Sequence, residues 1–296
     1  MHLGEFLPPL IACALYGLLY ARRVRALSRA RRPADWRLVA FAAGLLTVTI
    51  VQLPPLDGLA DSVLLAHAAQ HILIGDVASL LIVLGLTGPV LAPWLGLRIA
   101  RPLRSLGHPV VALTLWAADL YVWHVPLLYQ LAVRHDLVHA AEHACLLWFG
   151  TLLWLALLGP LPKPRWFNNW ARLGYVIAVR FVGAVLANVL IWTQGVVYPV
   201  YRASDAHRGL NPVSDQNLAG GLMMVEQMVL TVFLLGWLFH RACAQDEERQ
   251  RLLELAADRG VALSPERAER AAAASAGARL RERLLEARDA AQDSGS

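Results

Sequence analysis

Seven stretches of this chain are long and apolar enough to cross a lipid bilayer, and no other feature restricts its fold as severely. A hydrocarbon core of about 30 Å needs about 20 mostly apolar residues in a helix. Residues 5–21, 37–54, 63–86, 109–131, 138–159, 173–198 and 217–240 approach or meet that length. Backbone amides find no water in hydrocarbon, so only helices or closed barrels can span. None of these stretches alternates with a two-residue period as a barrel strand does. The sequence therefore predicts an all-α integral membrane bundle of seven transmembrane helices over residues 1–244. Composition agrees: 57% of residues are hydrophobic and 17% charged, against about 25% charged in soluble domains. Mean hydropathy is +0.47.

The net charge of +5 could suggest a nucleic-acid partner, but its placement argues for a membrane. Arg22, Arg23, Arg25, Arg29, Arg31 and Arg32 follow the first span; Arg98, Arg101 and Arg104 follow the third. Lys163, Arg165 and Arg172 follow the fifth; Arg241, Arg249 and Arg251 follow the seventh. The alternate loops carry only Arg134, Arg202 and Arg208. Positive loops stay cytoplasmic, which predicts an outer N-terminus and a cytoplasmic C-terminus. The arginines then face lipid headgroups, and no nucleic acid is expected. The first apolar run precedes its arginines, so it reads as a retained helix and not a cleaved signal peptide. Trp36, Trp94, Trp166 and Trp170 fall near the inner interface, as belt residues do. Cys13, Cys145 and Cys243 form no metal or disulfide spacing. Residues 245–296 are rich in Ala, Arg and Glu and end in Gln-Asp-Ser-Gly-Ser. They read as a charged cytoplasmic tail, partly helical or disordered.

Within that orientation the ten histidines are unevenly spread. Only His108 and His240 fall on the cytoplasmic side. His67 and His71 lie in the outer turns of span three, His139 and His143 in those of span five, and His124 near the outer end of span four. Each His-x-x-x-His pair puts both rings on one helix face. Three helices thus bring imidazoles to a similar depth, within about 12 Å of the outer interface. Neutral imidazole suits zinc, copper and iron, and polar groups inside a bilayer are functional hypotheses by default. The plainer reading of a lone histidine in a span is a hydrogen bond between helices, and His135 and His207 read as loop residues. Gln70, Asp76, Asp119 and Glu142 are placed to orient the rings.

Span seven begins at Asp215-Gln216 and runs through Met223, Met224, Glu226, Gln227 and Met228. Every methionine but the first lies here, at a depth near the histidines. Thioether sulfur selects copper(I), although methionine also fills irregular gaps in cores. Glu226 reads as a proton-handling group or a hydrogen-bond anchor. Pro126 follows His124 closely; if the helix continued past it, the Val122 carbonyl would lose its usual donor.

Four segments carry a family resemblance: Ala66-His67-x-x-Gln70-His71, Trp123-His124-x-Pro126-x-x-Tyr129, His135-x-x-x-His139-x-x-Glu142-His143 and Asp215-Gln216-x-x-Ala219-Gly220-x-x-Met223. In this order the chain resembles the CtaG-type cytochrome c oxidase assembly factors of bacterial plasma membranes, over roughly residues 5–240. The resemblance implies a seven-span protein, not an enzyme, needed to build haem-copper oxidase. It also implies copper delivery, with an oxidase subunit or another copper-handling membrane protein as partner. The family's motif positions fall on His67, His71, His124, His139, Glu142, His143, Asp215 and Met223. The chain departs at Ala68, where the family often has Met, and at Met224, where Trp is common.

Two other chemistries fit the same residues. An intramembrane zinc hydrolase would hold zinc on three histidines and use Asp76 or Glu142 as base. A haem protein would use His71 and His143 as axial ligands.

Overall fold

A computed structural model describes residues 3–95, 107–273 and 277–293. The arginines at 98–104 and the last residues of the chain, 294–296, lie outside these. Every regular element among the described residues is helical. In chain order they are α1 (Leu3–Arg25), α2 (Asp35–Val51), α3 (Pro54–Ala60), α4 (Leu64–Gly85), α5 (Gly88–Leu95), α6 (Pro109–Trp123), α7 (Pro126–Arg134), α8 (Asp136–Leu157), α9 (Asn169–Trp192), α10 (Arg202–His207), α11 (Pro212–Asp258), α12 (Pro265–Ala273) and α13 (Gly277–Asp293).

By length and composition, α4, α8, α9 and α11 can each cross a membrane. One further span expected as a single helix, 109–131, is broken, and the expected span 37–54 ends at a bend where a short helix stands in place of the expected loop. Helices α2 and α3 meet at 64°, and α6 and α7 at 72°. The described helices therefore offer four to six candidate crossings, where the sequence predicts seven. Proline explains both breaks. Pro54 and Pro126 sit at the first turn of α3 and α7, where a missing N–H costs nothing. The residue before each is pushed out of helical geometry, and Leu53 and Val125 are extended. Because α6 ends at Trp123, the Val122 carbonyl is not orphaned: it accepts from the Val125 N–H at 3.2 Å. The expected span 173–198 ends earlier, at Trp192, and its last residues form a loop. Helix α11 continues without a break through the change of composition at residue 245.

The helices of residues 1–231 close on one another through small residues, as membrane helices do. A Cβ at Gly44 of α2 would lie 2.8 Å from the Ala78 carbonyl of α4, and one at Gly85 would press on Phe41. Gly150 of α8 lies directly over the Gly75 carbonyl of α4. That contact falls in a six-residue π-helical turn, Leu73–Ala78, where Ser79 Oγ donates back to the Gly75 carbonyl. Residues 232–296 form a second compact unit. There Leu252, Ala256, Ala268 and Leu284 bury a small apolar core, and Arg281 donates twice to Glu248.

Candidate metal centre

Helix α4 carries His67 and His71 one turn apart, and α8 carries His139 and His143 in the same way. The two helices turn these faces toward each other. Ring centroids are 4.2 Å apart within each pair, 5.2 Å from His67 to His139 and 5.5 Å from His71 to His143. All four rings are buried, and Glu142 is fully buried between them. Its Oε2 lies 3.6 Å from His71 Nε2 and 3.9 Å from His67 Nε2. One donor atom from each of His67, His71, His139 and Glu142 falls within 4.8 Å of all the others, a set close enough to hold a metal ion.

The fit to a cation rests on which atoms have partners. Nε2 of His67, His71, His139 and His143 and both carboxylate oxygens of Glu142 are buried without a hydrogen bond. Buried polar groups are almost always paired, since an unpaired one costs about 1–3 kcal/mol. All six are of types that ligate metals, and those of His67, His71, His139 and Glu142 converge closely enough to hold a cation.

Partners behind the rings fix their orientation. His67 Nδ1 lies 3.0 Å from Tyr201 Oη. With the proton on Nδ1 donated to that oxygen, Nε2 keeps its lone pair for a metal. His124, capping the C-terminus of α6 at the break before Pro126, is only half-buried. Its Nδ1 donates to the Leu120 carbonyl at 2.7 Å, so in the neutral ring Nε2 is the acceptor. Its ring lies 6.4 Å from that of His71. His71, His124 and Met223 line one cavity of about 60 Å³ together with Tyr129, Asp76 and Glu226. Of the methionines near Met223, Met228 faces outward, and Met224 Sδ accepts a contact from Asn188 Nδ2 at 3.8 Å.

The other expected site residues are placed as follows. The Asp215 carboxylate accepts from the Leu64 and Leu65 amides at 2.7 and 3.1 Å. It caps the N-terminus of α4 from a distant helix, where a negative charge is favoured. Gln216 accepts from the Val197 amide at 2.8 Å and donates to the Leu190, Thr193 and Gly195 carbonyls, holding the end of α9 and the loop beyond it. Gln70 donates to the Val51 carbonyl and to Asp57 Oδ1, each at 2.8 Å, so its bonds tie α4 to the bent α2–α3 pair and reach no imidazole. Asp119 is buried on α6. Asp76 lies in the π-helical turn, and Glu226 is 3.6 Å from Arg180 Nη1. His135 and His207 are exposed and stand apart from the cluster.

Sequence reasoning missed Arg180, Tyr198, Tyr201 and Asp57, and met Tyr129 only as a motif position. Arg180 of α9 is buried in the middle of a candidate span and lines the cavity; a lone arginine in an apolar run was the available signal. Tyr129, Tyr198 and Tyr201 form an aromatic wall, with Tyr129 and Tyr198 stacked at 4.0 Å and Tyr198 Oη donating to the His124 carbonyl at 2.9 Å. Asp57 lies on the short helix Pro54–Ala60, where the sequence reading placed a loop.

Comparison with known proteins gives two kinds of match. The family described as cytochrome c oxidase caa3 assembly factor (Caa3_CtaG) matches residues 18–245. Two mycobacterial proteins described as uncharacterized, from Mycobacterium bovis and Mycobacterium tuberculosis, are each 26% identical over 212 residues. That alignment covers 65% of this chain and 32% of each relative, so the chain spans about a third of their length. No solved structure matches the chain.

Proposed function

The chain belongs to the cytochrome c oxidase caa3 assembly factor family, a family of assembly factors and not of enzymes, and from that premise we propose that it binds copper within the membrane and helps place it in the oxidase. The observation that carries this reading is the set of six open donors on His67, His71, His139, His143 and Glu142. Met223 adds a soft sulfur to the cavity beside His71 and His124, which favours copper(I) over zinc. The copper is cargo, received and passed on. Its recipient is an oxidase subunit or another copper-handling membrane protein.

The reading places the protein in a bacterial plasma membrane with seven crossings. Besides the four long helices and two bent pairs, α1 has 23 residues, enough to extend about 35 Å. The arginine distribution supports an outer N-terminus, an outer histidine cluster and a cytoplasmic C-terminus. Haem fits poorly, because ligands of that size occupy pockets of about 300 Å³ or more and the cavity here is about 60 Å³. The same volume leaves little room for a peptide or lipid substrate of a zinc hydrolase.

Purified wild-type protein and the His71→Ala/His143→Ala variant should be compared by metal analysis, and each should be expressed in a host lacking its own copy. Wild type should carry copper and support oxidase activity, and the variant should insert normally and do neither. Normal oxidase assembly with the inserted variant would falsify the proposal. A cysteine placed at 57–61 that reacts with an impermeant thiol reagent only after permeabilisation would reverse the orientation.

A further inference from the structure

The four histidines form two layers, and we infer that the centre holds two ions, not one. His67 faces His139 across the α4–α8 interface at 5.2 Å, and His71 faces His143 at 5.5 Å. Within each helix the two rings stand one turn apart along the axis, with centroids 4.2 Å from each other. This inference rests on the metal-binding reading above and extends it to the number and arrangement of ions.

A single ion does not use what the site offers. Bonds of about 2.0–2.1 Å from imidazole nitrogen require all donors of one ion to converge closely. The mutually close set contains His67, His71, His139 and one Glu142 oxygen. His143 falls outside it, although its Nε2 is buried and unpartnered. One ion on that set leaves His143 and the second Glu142 oxygen with the desolvation cost of open polar atoms.

Two ions use all four imidazoles. The first takes His67, His139 and one oxygen of Glu142. The second takes His71 and His143, and the Glu142 carboxylate, whose Oε2 lies 3.6 Å from His71 Nε2 and 3.9 Å from His67 Nε2, sits between the layers so that its charge offsets repulsion between the cations. The two imidazoles of each layer suit a copper ion. The second layer also opens on the cavity that His124 and Met223 line, and His124 Nε2 is the acceptor nitrogen there because Nδ1 is committed to the Leu120 carbonyl. The two positions therefore differ. One is enclosed by imidazole and carboxylate, with Tyr201 behind His67, and the other adjoins the softer sulfur donor, an arrangement suited to stepwise loading and release.

The test is an anaerobic titration of purified full-length protein in detergent with copper(I), buffered by a competing chelator and counted by elemental analysis after desalting. Wild type should saturate at two copper ions per chain. The His124→Ala/His143→Ala variant should retain one. Replacing the exposed His135 and His207 by alanine should leave the count at two, and a fall to one there would assign the second ion to the surface and overturn the inference. Saturation of wild type at one ion also overturns it while leaving the copper-binding reading intact. No binding at all overturns both. The wild-type count decides the matter even if the double variant fails to fold.

Discussion

Gly150→Ala tests whether the centre depends on the close approach of α4 and α8. A Cβ at Gly150 would overlap the Gly75 carbonyl oxygen and lie 3.0 Å from Ser79 Oγ. The first obstacle is backbone inside a π-helical turn, so no side-chain rotation relieves it. Clearing it needs a separation of the helices by about 1 Å, and overpacking of this kind costs about 1–3 kcal/mol. For a chain of this size each kcal/mol lowers Tm by about 2–4 °C, giving a drop of roughly 2–12 °C. The same displacement is several times the tolerance of about 0.2 Å on metal–ligand distances. Copper(I) affinity should therefore fall at least tenfold, although Gly150 is two helical turns from His143. The assay is thermal unfolding in detergent together with chelator competition. Gly174→Ala, where a Cβ meets nothing within 4 Å, serves as the control and should be neutral or slightly stabilising. If Gly150→Ala keeps the wild-type Tm and affinity, the helix approach does not hold the centre.

Tyr201→Phe removes the oxygen 3.0 Å from His67 Nδ1 and should weaken copper(I) binding about 10–100-fold with little change in fold; an unchanged affinity would show that the tyrosine does not orient the ring. Asp215→Asn keeps the shape of the α4 cap but removes its charge, and should cost about 1–3 kcal/mol in thermal stability while leaving the count of bound copper unchanged; a selective loss of copper would make Asp215 a ligand-side residue instead. Lys163, in the loop after α8, donates to the Leu155 carbonyl at 2.6 Å, and burial, then the nearby Arg172 charge, lowers its pKa to about 7. The unfolded chain, near 10.4, holds the proton that the folded chain releases, so stability should rise with pH between about 7 and 10. Lys163→Met should flatten that slope, and an unaltered slope would assign it to another group.

The parts of the centre that were legible in the sequence are those set by local geometry. A spacing of four residues puts His67 over His71 and His139 over His143 whatever surrounds them, and Pro126 marks the break of span four beside His124 because proline lacks a donor. What could not be read there depends on contacts between helices far apart in the chain. Asp215 caps α4 across 151 residues, and nothing near position 215 indicates that the unpaired amides belong to Leu64 and Leu65. Tyr201 follows a span that ends sooner than its apolar run suggests, so its place behind His67 depends on how the loop after α9 returns. Arg180 was visible as a charge in an apolar stretch, but its pairing with Glu226 was not. The bend at Pro54 falls at the end of the expected span 37–54, and the short helix beyond it, Pro54–Ala60, was not read because seven residues carry too little periodicity to separate a helix from a loop.

The buried polar residues of the bundle differ in what their hydrogen bonds close on. Asp215, Gln216, Gln70 and Ser79 close their hydrogen bonds onto backbone groups of other turns or helices. Each binds a helix end or a break that a purely apolar interface would leave free to slide. The four histidine Nε2 atoms and the Glu142 oxygens close none. At about 1–3 kcal/mol per open atom, six of them would offset most of the 5–15 kcal/mol by which a typical fold is stable. Other buried atoms also lack partners, among them Gln70 Oε1, Asp76 Oδ1 and Gln227 Oε1, but at the cluster donors from α4 and α8 converge within 4.8 Å of one another. Cations bound by these atoms would remove that cost and add bonds of their own. If the proposed copper binding holds, metal binding and packing of α4 on α8 are linked equilibria.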